Sequence, residues 1–162
     1  MTRNELTLPN AAAAAVVGDV ARYGAKSVET GGFLLAPRGE DTISIVALAG
    51  DAGITRRRDL FQVSECALDR LFAHADERDL WIPAQFHSHG LAAFMSACDV
   101  DHGLSVHGFV TTIVPYFASP PGDTAQWGWW RFEGVWTPLA APSTSHAAVS
   151  VVAFAEDGIH GC

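Results

Sequence analysis

The chain has 162 residues, of which 49% are hydrophobic and 17% charged, a balance typical of one globular domain with its own core. The formal charge of −8 excludes the clustered basic surface that nucleic-acid binding requires. No apolar run reaches the roughly 18 residues of a membrane span, and three cysteines without a C-x-x-C spacing favour a reducing compartment. We therefore expect a single-domain, soluble and cytoplasmic protein with no membrane or nucleic-acid partner.

The first third of the chain predicts one helix and two strands. An Ala- and Val-rich stretch over residues 9–23 predicts a helix, with Pro9 tolerated in its first turn. Residues 27–36 predict a strand with a Gly pair at a close approach, and the β-branched stretch 42–49 predicts the return strand. A loop follows, and its run Arg56–Arg58 is either a solvated loop or a contact for an acidic partner or a free carboxylate.

The middle of the chain predicts a second helix over 65–79, capped by Ser64. Four apolar residues recur there at helical spacing and are expected to face the core: Leu68, Leu71, Phe72 and Ala75.

The remaining sequence predicts several strands and one short helix. Strands are predicted over 81–88, 108–115, 126–133, 135–139 and 147–154, and the short helix over 96–105. The four tryptophans near the third of these strands (127, 129, 130 and 136) are expected to pack on the sheet. The predicted fold class is α/β (α+β): a mixed central sheet flanked by two larger helices, with a short helix beside the candidate site.

Two histidines and an aspartate form the pattern with the clearest chemistry. His87 and His89 lie at the end of a predicted strand, where residues two apart face the same side. Asp99 falls in the first turn of the helix that Ser96 can cap. Two imidazoles and one carboxylate leave the fourth tetrahedral position for water, as catalytic zinc sites do. The pattern therefore predicts a zinc site at His87, His89 and Asp99.

Hydrolysis at such a site also needs a group that takes and returns protons. Glu29 is the candidate, because its position directly before Thr30-Gly31-Gly32 in an apolar predicted strand is unusual for a solvated charge. The alternative is that Glu29 simply pairs with Arg22 or Lys26.

Each part of the pattern has an ordinary structural interpretation. His-x-His can arise by chance, and Ser-x-x-Asp is also a common helix start. Asp101 and His102 are rival ligands to Asp99, although the spacing from Ser96 favours Asp99. Cys98 could bind the metal, but a buried structural thiol is the preferred interpretation for Cys98 and for Cys66.

In this order the residues resemble the JAMM (JAB1/MPN/Mov34) zinc metalloproteases, specifically their prokaryotic JAB branch, over roughly residues 8–138. Residues 29–35 look like the family's Glu-containing strand, and residues 87–89 with 96–99 look like its His-x-His and Ser-x-x-Asp signature. The resemblance implies that Zn²⁺ is held by His87, His89 and Asp99. It further implies that Glu29 is the general base and that Ser96 donates to the tetrahedral oxyanion.

The resemblance also implies a substrate, namely a ubiquitin-like protein or its conjugate that is cut after the C-terminal Gly. E1-like and E2-like proteins of the same operon are the implied partners. The alternatives are a hydrolase that trims an amino acid from a carrier protein's Gly-Gly end, and a catalytically inactive MPN scaffold.

Two departures from the family pattern lie between the second His and the Ser. Gly90 stands where the family usually has Pro, and six residues rather than seven separate His89 from Ser96. This loop, residues 90–95, is strongly apolar, so it could act as a lid, a partner surface or a cover over the site. The extension over 141–162 could pack on the sheet or engage a partner.

Overall fold

A computed structural model describes residues 5–162, apart from the side chain of His102. Within that range the elements, in chain order, are β1 (Thr7–Pro9), α1 (Asn10–Gly24), β2 (Gly31–Pro37), β3 (Ile45–Ala49), β4 (Ile54–Arg57), β5 (Leu60–Val63), α2 (Glu65–Glu77), β6 (Leu80–Ser88), α3 (Ala97–His102), β7 (Val110–Val114), a 3₁₀ turn (Thr124–Gln126), β8 (Gly128–Phe132), β9 (Trp136–Pro138), β10 (Ser143–Ser145), β11 (Ser150–Ala155) and β12 (Gly158–Gly161).

A mixed sheet of eight strands forms the centre of the molecule, in the order β12-β11-β3-β2-β6-β7-β8-β9. The pairs β3/β11 and β6/β7 are parallel, and the other neighbours are antiparallel. Strand β2 alternates between the two faces: Leu34 and Ala36 join the core under α1, whereas Phe33 and Leu35 join the core under α2. The predicted mixed central sheet flanked by two larger helices is confirmed, and the structure places one of these helices on each face.

The two larger helices pack through short rows of small and branched side chains. In α1, Ala12, Val16 and Val20 recur every four residues and are fully buried. Helix α2 begins as predicted, because the Ser64 hydroxyl accepts a hydrogen bond from the Ala67 N–H at 3.2 Å. Leu71 is buried, but Phe72 is 41% exposed, so the prediction that Phe72 faces the core is wrong. It lies one step around the helix from the buried row and points away from the sheet.

Residues 50–63 hold the largest difference from the predicted elements. Where a loop leading to Phe61 is expected, β4 and β5 form an antiparallel hairpin, with Arg57 opposite Leu60 at its tip. Arg57 and Arg58 are exposed, as a solvated run would be, but the side chain of Arg56 is only 9% exposed. The interpretation of the whole run as a solvated loop is therefore wrong for Arg56.

Two strands of the C-terminal extension join the central sheet: β11 adds in parallel to β3, and β12 turns back along β11. The third, β10, pairs in parallel with β1 in a separate two-stranded sheet. Two of the four tryptophans predicted to pack near β8 are buried: Trp127 and Trp129 stack with ring centroids 5.8 Å apart. Trp130 and Trp136 are only partly buried. Over the part of the chain that the structure describes, no helix is both long enough and apolar enough to cross a membrane.

Candidate metal centre

Strand β6 brings the two histidines to one face of the sheet. His87 lies opposite Gly31 of β2 and beside Ile113 of β7, so the strand is held from both sides up to the point where the imidazoles emerge. His89 follows the last residue of β6, and its N–H donates to the Val114 carbonyl at 2.9 Å. The ring centroids of His87 and His89 are 5.2 Å apart, and both residues are 7% exposed. The period-two spacing therefore places both rings as expected.

Asp99 reaches the histidines from the start of α3. The Ser96 hydroxyl accepts the Asp99 N–H at 3.1 Å, and an Asp99 carboxylate oxygen accepts the Ser96 N–H at 2.8 Å. This reciprocal pair is a capping box, which fixes both residues at the first turn of a six-residue helix. The carboxylate then projects at the two imidazoles: Oδ1 lies 3.0 Å from His87 Nε2 and Oδ2 lies 3.3 Å from His89 Nε2.

The donor atoms of these three residues suit a zinc ion. They lie within 4.8 Å of one another, and in a tetrahedral zinc site ligand atoms are separated by roughly 3.3 Å, given bonds of about 2.0–2.1 Å. His87 Nε2 is buried and close to Asp99, yet it has no partner with hydrogen-bond geometry among the described residues. A buried polar nitrogen without a partner destabilises the folded protein unless it binds a ligand such as a metal ion. The three residues could therefore hold a metal ion through two imidazole nitrogens and one carboxylate oxygen.

The short distances between the two histidines and Asp99 shift the pKa values of His89 and Asp99. Burial would raise the pKa of Asp99, but the adjacent imidazoles of His87 and His89 and the hydrogen bond from the Ser96 N–H outweigh burial and hold that pKa well below its usual range. Burial would lower the pKa of His89, but the carboxylates of Asp99 and Glu29 outweigh it and raise the pKa.

Glu29 contributes a second carboxyl group to this site. It is 7% exposed and lines the same cleft as His89, Ser96 and Asp99. Burial raises its pKa from 4.5 to about 7; His89 opposes this shift, and Asp99 and Asp59 reinforce it. A carboxyl group with such a pKa can both accept and return a proton near neutral pH.

The surroundings of Glu29 differ from the prediction in two ways. Glu29 stands two residues before β2 rather than inside a strand. Arg22 and Lys26, its alternative partners, both lie over the ring of Tyr23, each 5.3 Å from the centroid. The structure therefore does not pair Glu29 with Arg22 or with Lys26.

Thr30, the residue after Glu29, is hydrogen-bonded to β6, the strand that carries the histidines. The Ser88 N–H donates to the Thr30 carbonyl at 2.9 Å, and the Ser88 hydroxyl accepts the Thr30 N–H at 2.9 Å. Ser88, which stands between the two histidines but faces the other side of the strand, thus joins the two parts of the site. Sequence reasoning missed this role; the alternation that points His87 and His89 one way necessarily points Ser88 the other.

Two clefts meet at the site. A cleft of about 630 Å³ lies along α2 and β5 and includes His87, and a second of about 550 Å³ includes Glu29, His89 and Ser96. Phe61, Cys98 and Asp99 line both clefts, so an extended chain running from one to the other would pass beside the trio.

The predicted close approach at the Gly pair is confirmed on this face. A Cβ on Gly31 would overlap the Phe61 ring and the Phe86 carbonyl. Because Gly31 lies directly opposite His87, the Phe61 ring occupies the sheet face from which the His87 imidazole emerges.

The apolar loop of residues 90–95 forms one wall of the second cleft. Leu91 is 74% exposed and Phe94 54% exposed. The Phe94 ring meets His89 edge to face, with centroids 5.0 Å apart. Tyr116, which is also exposed, donates its N–H to the Leu91 carbonyl at 2.9 Å. The loop thus flanks the site with an apolar rim and leaves the cleft open.

The rival residues take other positions. Asp101 is exposed on α3, and the side chain of His102 lies outside the described residues. Cys98 is partly exposed at the junction of the two clefts, and burial raises the pKa of its thiol, which disfavours the thiolate that binds metals. Cys66 is exposed on α2. The expectation of a buried structural thiol is therefore wrong for Cys66 and only partly met for Cys98.

Comparisons with known proteins support the fold. The sequence matches no protein-family model, and comparison with curated proteins gives no match. The structure is similar to a solution structure from Desulfitobacterium hafniense, with a TM-score of 0.67, 14% identity, and coverage of 88% of this chain and 94% of that one. A JAB1/MPN domain protein from Archaeoglobus fulgidus is similar with a TM-score of 0.56 and 12% identity, over 88% of this chain and 100% of that one. A solution structure from Salinibacter ruber is similar with a TM-score of 0.52 and 22% identity, over 88% of this chain and 94% of that one.

These similarities show an MPN/JAB-like fold. Within that fold, His87, His89 and Asp99 form a group with the chemistry of a metal site.

Proposed function

We propose that the protein is a zinc-dependent peptidase or isopeptidase of the JAMM type that hydrolyses the bond after the C-terminal Gly of a ubiquitin-like protein. The observation that carries the proposal is the group formed by His87, His89 and Asp99, with the buried Glu29 lining the same cleft as His89 and Asp99. Three protein ligands with a nearby carboxyl group are the arrangement that metal-assisted hydrolysis needs.

Each residue has a separate task in this proposal. Bound zinc would polarise the carbonyl of the bond that is cut and activate a water molecule. Glu29, with its pKa near 7, accepts a proton from the attacking water and returns it to the nitrogen of the leaving amine. The Ser96 hydroxyl oxygen accepts the Asp99 N–H, so its own hydrogen is available to donate to the carbonyl oxygen as charge develops there.

The shape of the site supports an extended peptide as substrate. The two clefts meet at the metal group, so chain segments on both sides of the cut bond can be accommodated. The exposed Leu91, Phe94 and Tyr116 form an apolar rim beside the second cleft, which suits contact with a folded protein. The identity of that protein as ubiquitin-like, and partners of the E1-like and E2-like kinds, rest on the resemblance of the motifs.

The test uses purified protein loaded with one zinc ion per chain. Substrates are ubiquitin-like proteins encoded near this gene, each extended beyond its C-terminal Gly by a short peptide or joined to a lysine. We expect mass spectrometry to show cleavage directly after the Gly, and His87→Ala to abolish it. Stoichiometric zinc without cleavage of any such substrate would remove the substrate part of the proposal.

One observation favours a second candidate, the trimming of a single amino acid from a carrier protein's Gly-Gly end. Arg58 lines the second cleft with Glu29 and His89, where a cation could hold the carboxylate of a leaving amino acid. Turnover of a carrier that ends in Gly-Gly plus one residue, with loss of that turnover in Arg58→Met, would support it. An inactive scaffold would instead purify without zinc and tolerate His87→Ala without loss of stability.

A further inference from the structure

We propose that Arg56 is a positioning residue that sets the location of Glu29 relative to the metal group, an inference that rests on the proposed function. Arg56 lies on β4 and lines neither cleft, and its guanidinium has no hydrogen bond to the groups proposed to react. It acts through the segment that carries Glu29.

Burial of a permanent cation requires several partners, and Arg56 has them. Its side chain is 9% exposed. Its Nε donates to the Thr30 hydroxyl at 3.0 Å, one terminal nitrogen donates to the Gly50 carbonyl at 2.6 Å, and the other donates to the Ala49 carbonyl. The guanidinium carbon lies 3.9 Å from the centroid of the Tyr23 ring.

These partners come from three separate parts of the chain. Tyr23 is in the last turn of α1, Ala49 ends β3 and Gly50 follows it, and Thr30 lies between Glu29 and the start of β2. Asp19, a buried carboxyl on α1, accepts a hydrogen bond from the Thr30 hydroxyl at 3.4 Å. The planar guanidinium thus fixes the position of the Thr30 side chain against a helix and a strand.

The neighbouring residue of β4 fixes the backbone of Glu29 itself. The Glu29 N–H donates to the Arg57 carbonyl at 2.8 Å. The first residue of β2 that pairs with β6 is Gly31, so Glu29 is not held by the backbone pairing of the sheet. Arg56 and Arg57 are adjacent, and the anchoring of one therefore places the carbonyl of the other. If β4 shifts, the hydrogen bond that holds Glu29 is lost.

The metal group has no such dependence on β4. His87 and His89 are fixed by β2 and β7, and Asp99 is fixed by the capping box of α3. Loss of Arg56 should therefore displace the base and leave the ligands in place. A displacement of about 1 Å in a reacting group can reduce a rate by about 100-fold.

The experiment compares Arg56→Met, which keeps the apolar part of the side chain, with Arg56→Lys, which keeps a positive charge but loses the planar guanidinium and its several hydrogen-bond donors. Arg38→Met is the matched control, because Arg38 is an exposed arginine whose partners are Asp76 and Asp79. Zinc affinity, kcat and KM are measured well below the unfolding temperature of each variant. We expect kcat to fall about 10- to 100-fold in Arg56→Met and less in Arg56→Lys, with zinc affinity and KM changed by less than about threefold.

A second readout does not depend on activity. Amide hydrogen exchange is followed at Glu29, whose N–H donates to Arg57, and at His89, whose N–H donates to Val114. We expect exchange at Glu29 to accelerate at least about 10-fold more than exchange at His89 in Arg56→Met. A purely structural role would accelerate both amides alike.

Unchanged kcat together with an unchanged ratio of Glu29 to His89 exchange would overturn the proposal. If the wild-type protein cleaves none of the substrates, the proposed function falls, and the exchange ratio alone decides the role of Arg56. If Arg56→Met does not fold, Thr30→Val removes only the hydroxyl contact, and the same ratio is measured in that variant.

Discussion

The two halves of the candidate site are held in place by different means. His87 and His89 extend from a central strand paired on both sides, and Asp99 is fixed by a capping box. Glu29 lies outside the sheet ladder and is held by the β4 backbone and its surroundings. Regular secondary structure thus positions the ligand atoms, whereas tertiary contacts position the base. The two halves should therefore respond differently to substitution.

Replacement of a ligand should give the largest effect. We expect Asp99→Ala to weaken zinc binding by at least about 1000-fold, because loss of even an outer hydrogen bond to a ligand costs about 10- to 100-fold. Titration with a competing zinc chelator measures this loss. The control is Asp101→Ala, because Asp101 is an exposed carboxylate two residues away. Equal loss in both variants would contradict the assignment of Asp99 as the ligand.

Replacement of the base should separate catalysis from metal binding. We expect Glu29→Gln to lower kcat by about 100- to 10,000-fold while a full equivalent of zinc remains bound, since general acid–base catalysis contributes about that much. Steady-state kinetics and metal analysis of the same preparation give both values. A variant that loses zinc and activity together would mean that Glu29 supports the metal rather than the proton transfer.

The contact between the histidine strand and the β4–β5 hairpin can be tested at Gly31. A methyl group there would overlap the Phe61 ring and the backbone carbonyl of Phe86. We expect Gly31→Ala to lower the free energy of unfolding by about 1–3 kcal/mol, as overpacking commonly does. Urea denaturation measures it, with Gly122→Ala as control because a Cβ there has no atom within 4 Å. Equal stability of the two variants would show that the hairpin moves aside freely.

A smaller effect, dependent on pH, is expected in the surroundings of the base. Burial raises the pKa of Asp19 from 3.8 to about 6, although Arg56 opposes the shift. Between these values the folded protein keeps a proton that the unfolded chain has lost, so the stability that Asp19 contributes falls as the pH rises through 6. The free energy of unfolding of Asp19→Asn, relative to that of the wild type, should therefore increase by on the order of 2 kcal/mol as the pH is raised from 4 to 7. Urea denaturation of the metal-free proteins at both values tests this, and a constant difference would contradict it.

The parts of the site that sequence predicts are those with local rules. The spacing of His87 and His89 requires only strand geometry, and the link between Ser96 and Asp99 requires only helix capping. Seven of the eight strands of the central sheet, all except β12, and the two larger helices follow in the same way from hydrophobic periodicity and strand composition.

Other features depend on residues that are far apart in the sequence. Arg56 stands in a run of three arginines, which locally indicates solvent. Its burial depends on the carbonyls at the end of β3 and on the Tyr23 ring, which only the folded chain brings together. Phe72 shows the converse: its helical spacing predicts burial, but α2 turns only a narrow stripe to the sheet and leaves this ring exposed.

The parallel pairing of β3 with β11 has a consequence for the time course of folding. Ile45 pairs with Ser150, about 100 residues later in the chain, and β12 can add only after β11 is in place. Loop closure over such a distance is entropically costly and slows the formation of the contacts that depend on it. We therefore expect the β3 edge of the sheet to be completed last during folding. Until β11 is in place, β3 presents an unpaired edge, so we expect chains that have not yet added β11 to be more prone to aggregation than the native protein.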